Sequence, residues 1–170
     1  MKSDGKALAE TIYADLLRRV EELQKQSVTP TLAVILIGDD PGSVSYVAQK
    51  EKHAKRLGIT LHIDRLPTTV TEKDITAIAD AYNADPDIHG IIIQRPTPVQ
   101  ITKAFLDAII IPEKDIDGFH PDSDFAAPVA LAVERILYEI YKVEETKGTK
   151  GAQDAKGAQG TDGTQDPSDP

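Results

Sequence analysis

No cysteine occurs in the chain, which removes disulfides, thiolate-held metals and a cysteine nucleophile together. The four histidines, His53, His62, His89 and His120, are scattered without the close spacing of a ligand set, so no metal site is expected. Long apolar runs are missing too: stretches such as Leu32 to Ile37 and Ala108 to Ile111 fall far short of the roughly 20 residues that cross a bilayer, and no membrane association is expected. Behind Lys2 and Lys6, Asp4 and Glu10 interrupt any signal-peptide pattern, so a cytoplasmic location is expected. Basic residues are outnumbered, 19 against 28 acidic, and the net charge of -9 argues against a broad electrostatic grip on nucleic acid.

What is present fits one domain of ordinary size in 170 residues. The composition changes at Glu144: the last 27 residues hold five of the eleven glycines and no Val, Leu, Ile, Phe or Tyr. With no apolar surface to offset ordering entropy, 144–170 reads as a disordered low-complexity tail and 1–143 as the domain. The tail's glycines neither follow a strand nor open an apolar helix, as a nucleotide loop would require.

Within 1–143 the hydrophobic period alternates. Leu8, Ile12, Leu16, Val20 and Leu23 recur at helical spacing over Ala7 to Gln26, with Asp4 near the start. Thr31 to Ile37 is a continuous apolar run, the pattern of a strand covered on both faces. A helix is expected from Ser43 to Leu57, a strand over Thr60 to Leu66, and a helix opening at the capping box Thr71-Glu-Lys-Asp74. Strand Gly90 to Ile93 follows, then a short helix near Ile101 to Ala108, a proline-punctuated loop, and a helix from Pro128 to Lys142. The alternation predicts an α/β fold: an open, mainly parallel three-to-four-stranded sheet flanked by helices, the first strand lying between the second and third. Ligands bind such sheets beyond the carboxyl ends of the strands, which points to Gly38 to Lys50 and Gln94 to Pro98.

Three positions break this pattern. Projected at helical spacing, Tyr46, Leu57, Lys50, Ser43, Ala54 and Val47 share an arc of about 100°, so Lys50 sits within the apolar stripe. It is either a snorkelling lysine whose stem covers core or a proton-transferring amine projecting into a cleft. Lys52, Lys55 and Arg56 read as a solvated face. Gln94 ends the apolar strand just before Arg95-Pro96-Thr97-Pro98, either as a polar exit to solvent or as an amide that both donates and accepts toward a substrate. Asp117, in Asp117-Gly118-Phe119, is either a turn residue or a carboxylate able to accept from two N–H donors of a flat heterocycle. His120 reads as structural. A phosphate site at Gly38 to Ser43 leaves Gln94 and Asp117 unexplained.

Taken together, Ser43-Val-Ser-Tyr46-Val-Ala-Gln-Lys50, Ile91-Ile-Ile-Gln94-Arg-Pro96-Thr-Pro98 and Pro112-Glu-Lys-Asp115-Ile-Asp117-Gly-Phe119-His-Pro121 resemble the methylenetetrahydrofolate dehydrogenase/methenyltetrahydrofolate cyclohydrolase family. Asp4-Gly5-Lys6 fits as well, and the likeness runs from about residue 3 to 125. The resemblance implies a folate-binding catalytic domain, with a tetrahydrofolate derivative as substrate and no intrinsic cofactor. It implies Lys50 as the acid/base lysine, Tyr46 and Gln94 positioning it and the one-carbon unit, Asp117 holding the pterin, and Ser43 supporting the pocket. The implied reaction is hydrolysis of 5,10-methenyltetrahydrofolate to 10-formyltetrahydrofolate in one-carbon metabolism.

Departures from the family shape the expectation further. No strand, glycine-rich turn and helix unit follows Pro121, so NAD(P) binding and autonomous dehydrogenase activity are not expected of this chain. Two alternatives stand beside the hydrolase: a non-catalytic folate-binding module, and the catalytic half of a split enzyme completed by a separate Rossmann-domain chain. A homo-oligomer is also left open. Arg95 replaces the apolar residue usual between Gln and Pro, placing a cation at the cleft rim, where it would meet the folate glutamate tail or repel the proton of Lys50. Val129, Val133, Ile136 and Ile140 form a stripe expected to close the core, on a helix that corresponds either to the family's interdomain helix or to its C-terminal one.

Overall fold

A computed structural model describes residues 4–141. Asp4–Leu131 form one compact unit, and residues 132–141 belong to a second. The expected tail from 144 lies outside the described residues.

Helix α1 (Gly5–Lys25) begins where the Asp4 carboxylate accepts from the N–H groups of Lys6 and Ala7. That cap starts the helix two residues before the apolar periodicity does. Strand β1 (Thr31–Ile37) follows, then helix α2 (Pro41–Leu57), whose first turn is set by Asp40 accepting from the Ser43 N–H at 2.8 Å. The helix starts at Pro41 and not at Ser43 because proline lacks only an N–H that the first turn leaves unpaired anyway. Gly58, left-handed at φ 72°, ends it. Strand β2 (Thr60–Leu66), helix α3 (Glu72–Ala84) with its Thr71–Asp74 capping box, strand β3 (Gly90–Gln94) and helix α4 (Lys103–Ala108) complete the wound part.

The sheet has three parallel strands in the order β2-β1-β3, with β1 at the centre. Alternate β1 residues point to opposite faces. Ala33, Ile35 and Ile37 join Ile91, Ile93, Ile75, Ala79 and Leu106 on the side of α3 and α4, whereas Val34 and Leu36 meet Val47 and Ile92 on the side of α2. Both faces are therefore apolar, and Ala33 to Ile37 are buried without interruption. Strand β3 runs one residue past the apolar segment because Gln94 still pairs with Leu36. After a short 3-10 turn at Pro112–Lys114, Asp115 forms a single parallel bridge to Ile91, so the loop from 115 onward is pinned beside β3.

Residues 128–141 are helical. Val129, the one member of the expected stripe within the first unit, is exposed at 76%. Periodicity identifies a face fit for burial but not what covers it. No helix among the described residues is long and apolar enough to cross a membrane.

One tie between α3 and β2 is pH-dependent. The Tyr82 hydroxyl donates to Asp64 at 2.5 Å, and burial together with that carboxylate pushes the phenol from 10 up to about 12. Because the folded value lies above the unfolded one, the contribution is complete below about pH 10 and disappears as the pH climbs through about 12. Urea unfolding of wild type and Tyr82→Phe should show the stability gap between them narrowing from neutral to strongly alkaline pH. A gap independent of pH would refute the bond's part in stability.

Candidate active site

The expected site residues lie on α2, at the end of β3 and on the loop that follows the 3-10 turn at 112–114. Ser43, 1% exposed, lies in the first turn of α2, and its hydroxyl donates to the Arg95 carbonyl at 3.5 Å, seating that turn against the end of β3. Further along α2, Val47 and Ala54 face the core, and Lys50, toward one side of the same stripe, is only half-buried. Tyr46 behaves differently. It lies at the margin of the predicted arc and is 67% exposed, so its ring is not part of the core stripe.

Gln94 is half-buried. Its Nε2 donates to the Arg95 carbonyl at 2.7 Å, while its Oε1 is buried with no hydrogen-bond partner among the described residues. An amide oxygen in that state is an acceptor awaiting a donor. No hydrogen bond joins Lys50 to Gln94 or Tyr46 among the described residues.

Asp117 is half-buried on the loop after the 3-10 turn. Burial pushes its carboxyl above the ordinary range; Lys50 pulls it back down, Asp115 pushes it up, and Arg95 pulls it down. Lys50 on α2 and Asp117 on the loop are therefore within electrostatic reach of each other. The loop's shape comes from Asp115, 5% exposed, whose carboxylate accepts from the His120 N–H at 2.7 Å. The Asp115 carbonyl accepts from the Gly118 N–H and the Ser123 hydroxyl, each at 3.1 Å. His120 is structural, its Nδ1 accepting from the Asp122 N–H at 3.1 Å.

Arg95 departs from its expected place. Its guanidinium does not stand free at the rim: it is paired with Asp107 of α4 at 2.6 Å and lies 3.8 Å from the centroid of the Phe119 ring. Asp107 also pairs with Lys103. Although burial opposes it, hydrogen bonds from Lys103 and Arg95 hold the Asp107 carboxyl below the usual range. Sequence reasoning assigned no part to Asp107, Phe119 or the buried Asp115. The one signal for Asp107 was its spacing of four residues from Lys103, which marks an ion pair but not the arginine that completes it. A concavity of about 280 Å³ lined by Pro112, Glu113, Asp122, Asp124 and Phe125 includes none of the expected site residues.

The fold is an open parallel α/β sheet, a class whose members bind ligands beyond the carboxyl ends of the strands. Residues 3–117 match the family model described as tetrahydrofolate dehydrogenase/cyclohydrolase, catalytic domain, and the chain belongs to that family. The "Bifunctional protein FolD" of Bacillus subtilis is 48% identical over 118 residues, which make up 69% of this chain and 42% of that protein. A crystal structure of the Campylobacter jejuni bifunctional enzyme FolD, a methylenetetrahydrofolate dehydrogenase/cyclohydrolase, superposes with a TM-score of 0.78 at 34% identity, covering 82% of this chain and 53% of that one. A 5,10-methylenetetrahydrofolate dehydrogenase from the silkworm Bombyx mori gives 0.75 at 33% identity, covering 81% and 51%. The family resemblance carried by the three motifs is borne out. The chain spans about two fifths of the length of the curated relatives it matches.

The Asp115-centred loop leaves no room at Gly118, whose φ is +66° and where an added Cβ would stand 2.2 Å from the Phe125 carbonyl oxygen. Gly118→Ala should cost about 3 kcal/mol from left-handed strain plus overpacking, read as a lower urea midpoint. An unchanged midpoint would mean that the loop is not packed in this way.

Proposed function

We propose that residues 1–143 form a folate-binding catalytic domain that hydrolyses 5,10-methenyltetrahydrofolate to 10-formyltetrahydrofolate, with Lys50 as acid/base. The observation that carries this reading is the half-buried Lys50, set between buried positions of α2 and acting on the half-buried Asp117 across the strand ends. In this reading Asp117 accepts from the pterin's paired N–H donors. The free Gln94 Oε1 takes a proton donor from the substrate, from water or from Lys50, and Ser43 holds the α2 turn against Gln94 and Arg95. Tyr46, exposed, is the positioning group that closes on the ligand from the solvent side.

The chemistry needs one movable proton. Water adds to the amidinium carbon as Lys50, in its amine form, accepts a proton from it, giving a neutral tetrahedral adduct. The ammonium then returns a proton to the ring nitrogen N5 while the adduct's hydroxyl proton is lost. The carbon–N5 bond breaks, the formyl group stays on N10, and one proton is released overall. Hydride transfer to NAD(P) is not part of this proposal; it would require a dinucleotide-binding unit from a further domain or a separate chain.

A second reading, a folate-binding module without turnover, is favoured by the exposed Tyr46 and by the lack of a hydrogen bond between Lys50 and Gln94 among the described residues. The two separate on one pair of measurements. Under the catalytic reading, Lys50→Met lowers hydrolysis, followed as loss of methenyl absorbance, by about 100-fold or more. It should also keep folate binding by calorimetry within a few-fold. Wild type and Lys50→Met turning over alike at the buffer rate would sink the catalytic reading, and binding without hydrolysis would install the second.

A further inference from the structure

Arg95 touches three elements at once. Its carbonyl accepts from Ser43 at the start of α2 and from Gln94 at the end of β3. Its guanidinium pairs with Asp107 of α4, in an ion pair whose side chains are 25% and 18% exposed. The same guanidinium covers the ring of Phe119, two residues beyond Asp117. A partly buried cation is screened less than a fully exposed one, and a guanidinium held by a carboxylate on one side and an aromatic face on the other has little rotational freedom.

We propose that Arg95 is a positioning residue: anchored by Asp107, it clamps Phe119 and so fixes the loop that presents the Asp117 carboxylate to the folate. The inference rests on the folate-binding reading for what the loop presents, but the clamp itself is a property of the free chain. The residue it acts through is Asp117. The charged groups that influence that carboxyl are Lys50 from α2, Asp115 from its own loop and Arg95 from the end of β3, with Arg95 in turn held by Asp107 and its neighbour Lys103 on α4. Burial raises the Asp117 carboxyl and Arg95 works against that rise. Loss of the arginine should therefore move Asp117 further toward its neutral form, and a binding step that needs the carboxylate should fail at a higher pH than in wild type.

The test uses the full chain. Carbon-13 NMR of labelled aspartate follows each carboxyl through pH in the ligand-free protein, with Asp117→Asn identifying the signal. Arg95→Leu should move the Asp117 midpoint upward, and Arg95→Lys, which keeps a charge but not the planar stack, should move it less. With 5,10-methenyltetrahydrofolate as substrate, Arg95→Leu should raise KM about tenfold, with a smaller fall in kcat. Asp107→Asn, which leaves the arginine in place but unanchored, should change KM in the same direction. An Asp117 midpoint that does not move in Arg95→Leu, or an unchanged KM in both Arg95→Leu and Asp107→Asn, overturns the proposal even if thermal stability falls, because a purely structural arginine would give that pattern. Should wild type neither bind nor hydrolyse the folate, the proposed function fails, while the titration still decides whether the clamp exists.

Discussion

The constraint on which the rest depends is the burial of β1 on both faces. A central parallel strand has to be covered by helices on either side, and this fixes α2 against Val34 and Leu36 and α3 against Ala33, Ile35 and Ile37. Once α2 is held by Val47 and Ala54, Lys50 is carried with it, and Ser43 adds a bond of its own to the Arg95 carbonyl at the end of β3. Pairing of β3 with β1 sets the other wall, because the register that matches Ile93 with Ile35 carries Gln94 to the strand end beside Leu36. The site is thus a by-product of apolar packing, and its polar groups cluster at the carboxyl ends because the apolar register ends there.

How much of this was legible in the sequence depends on the range of the interaction. The uninterrupted β1 run, the capping box at Thr71 and the strand at Thr60 to Leu66 are local signals, and each stands where it was expected. Lys50, Gln94 and Asp117 were singled out because each breaks a local period, and Lys50 and Asp117 are within electrostatic reach of each other. Tyr46 shows the limit of the same reasoning: an azimuth is a direction, and whether it meets core or solvent depends on where the sheet stops.

Arg95 was misplaced for a different reason. A lone arginine between a strand end and a proline carries no sequence signal of its partners, and those partners lie on α4 and on the loop beyond Asp115, twelve residues away in the case of Asp107. Only the chain's return past β3, pinned by the Ile91 to Asp115 bridge, brings the Phe119 ring over the guanidinium. Tertiary closure of this kind is invisible to periodicity and spacing.

The same arginine poses an energetic problem that bears on its role. A half-buried ion pair seldom outperforms a well-packed apolar side chain, because desolvation cancels most of the Coulombic gain. Here the balance is worse still: the Arg95 Nε is buried without a partner, so part of the guanidinium's hydration is lost with nothing in return. Relative to an apolar side chain at this point, the arginine therefore offers no evident gain in folding stability. What it does supply is a positive charge that works against the rise burial imposes on the Asp117 carboxyl. Lys50 lends Asp117 similar support, but an amine engaged in moving protons does not carry a constant charge, whereas a guanidinium does. Under the proposed function, in which Lys50 moves a proton, Arg95 is the second cation acting on the Asp117 carboxyl.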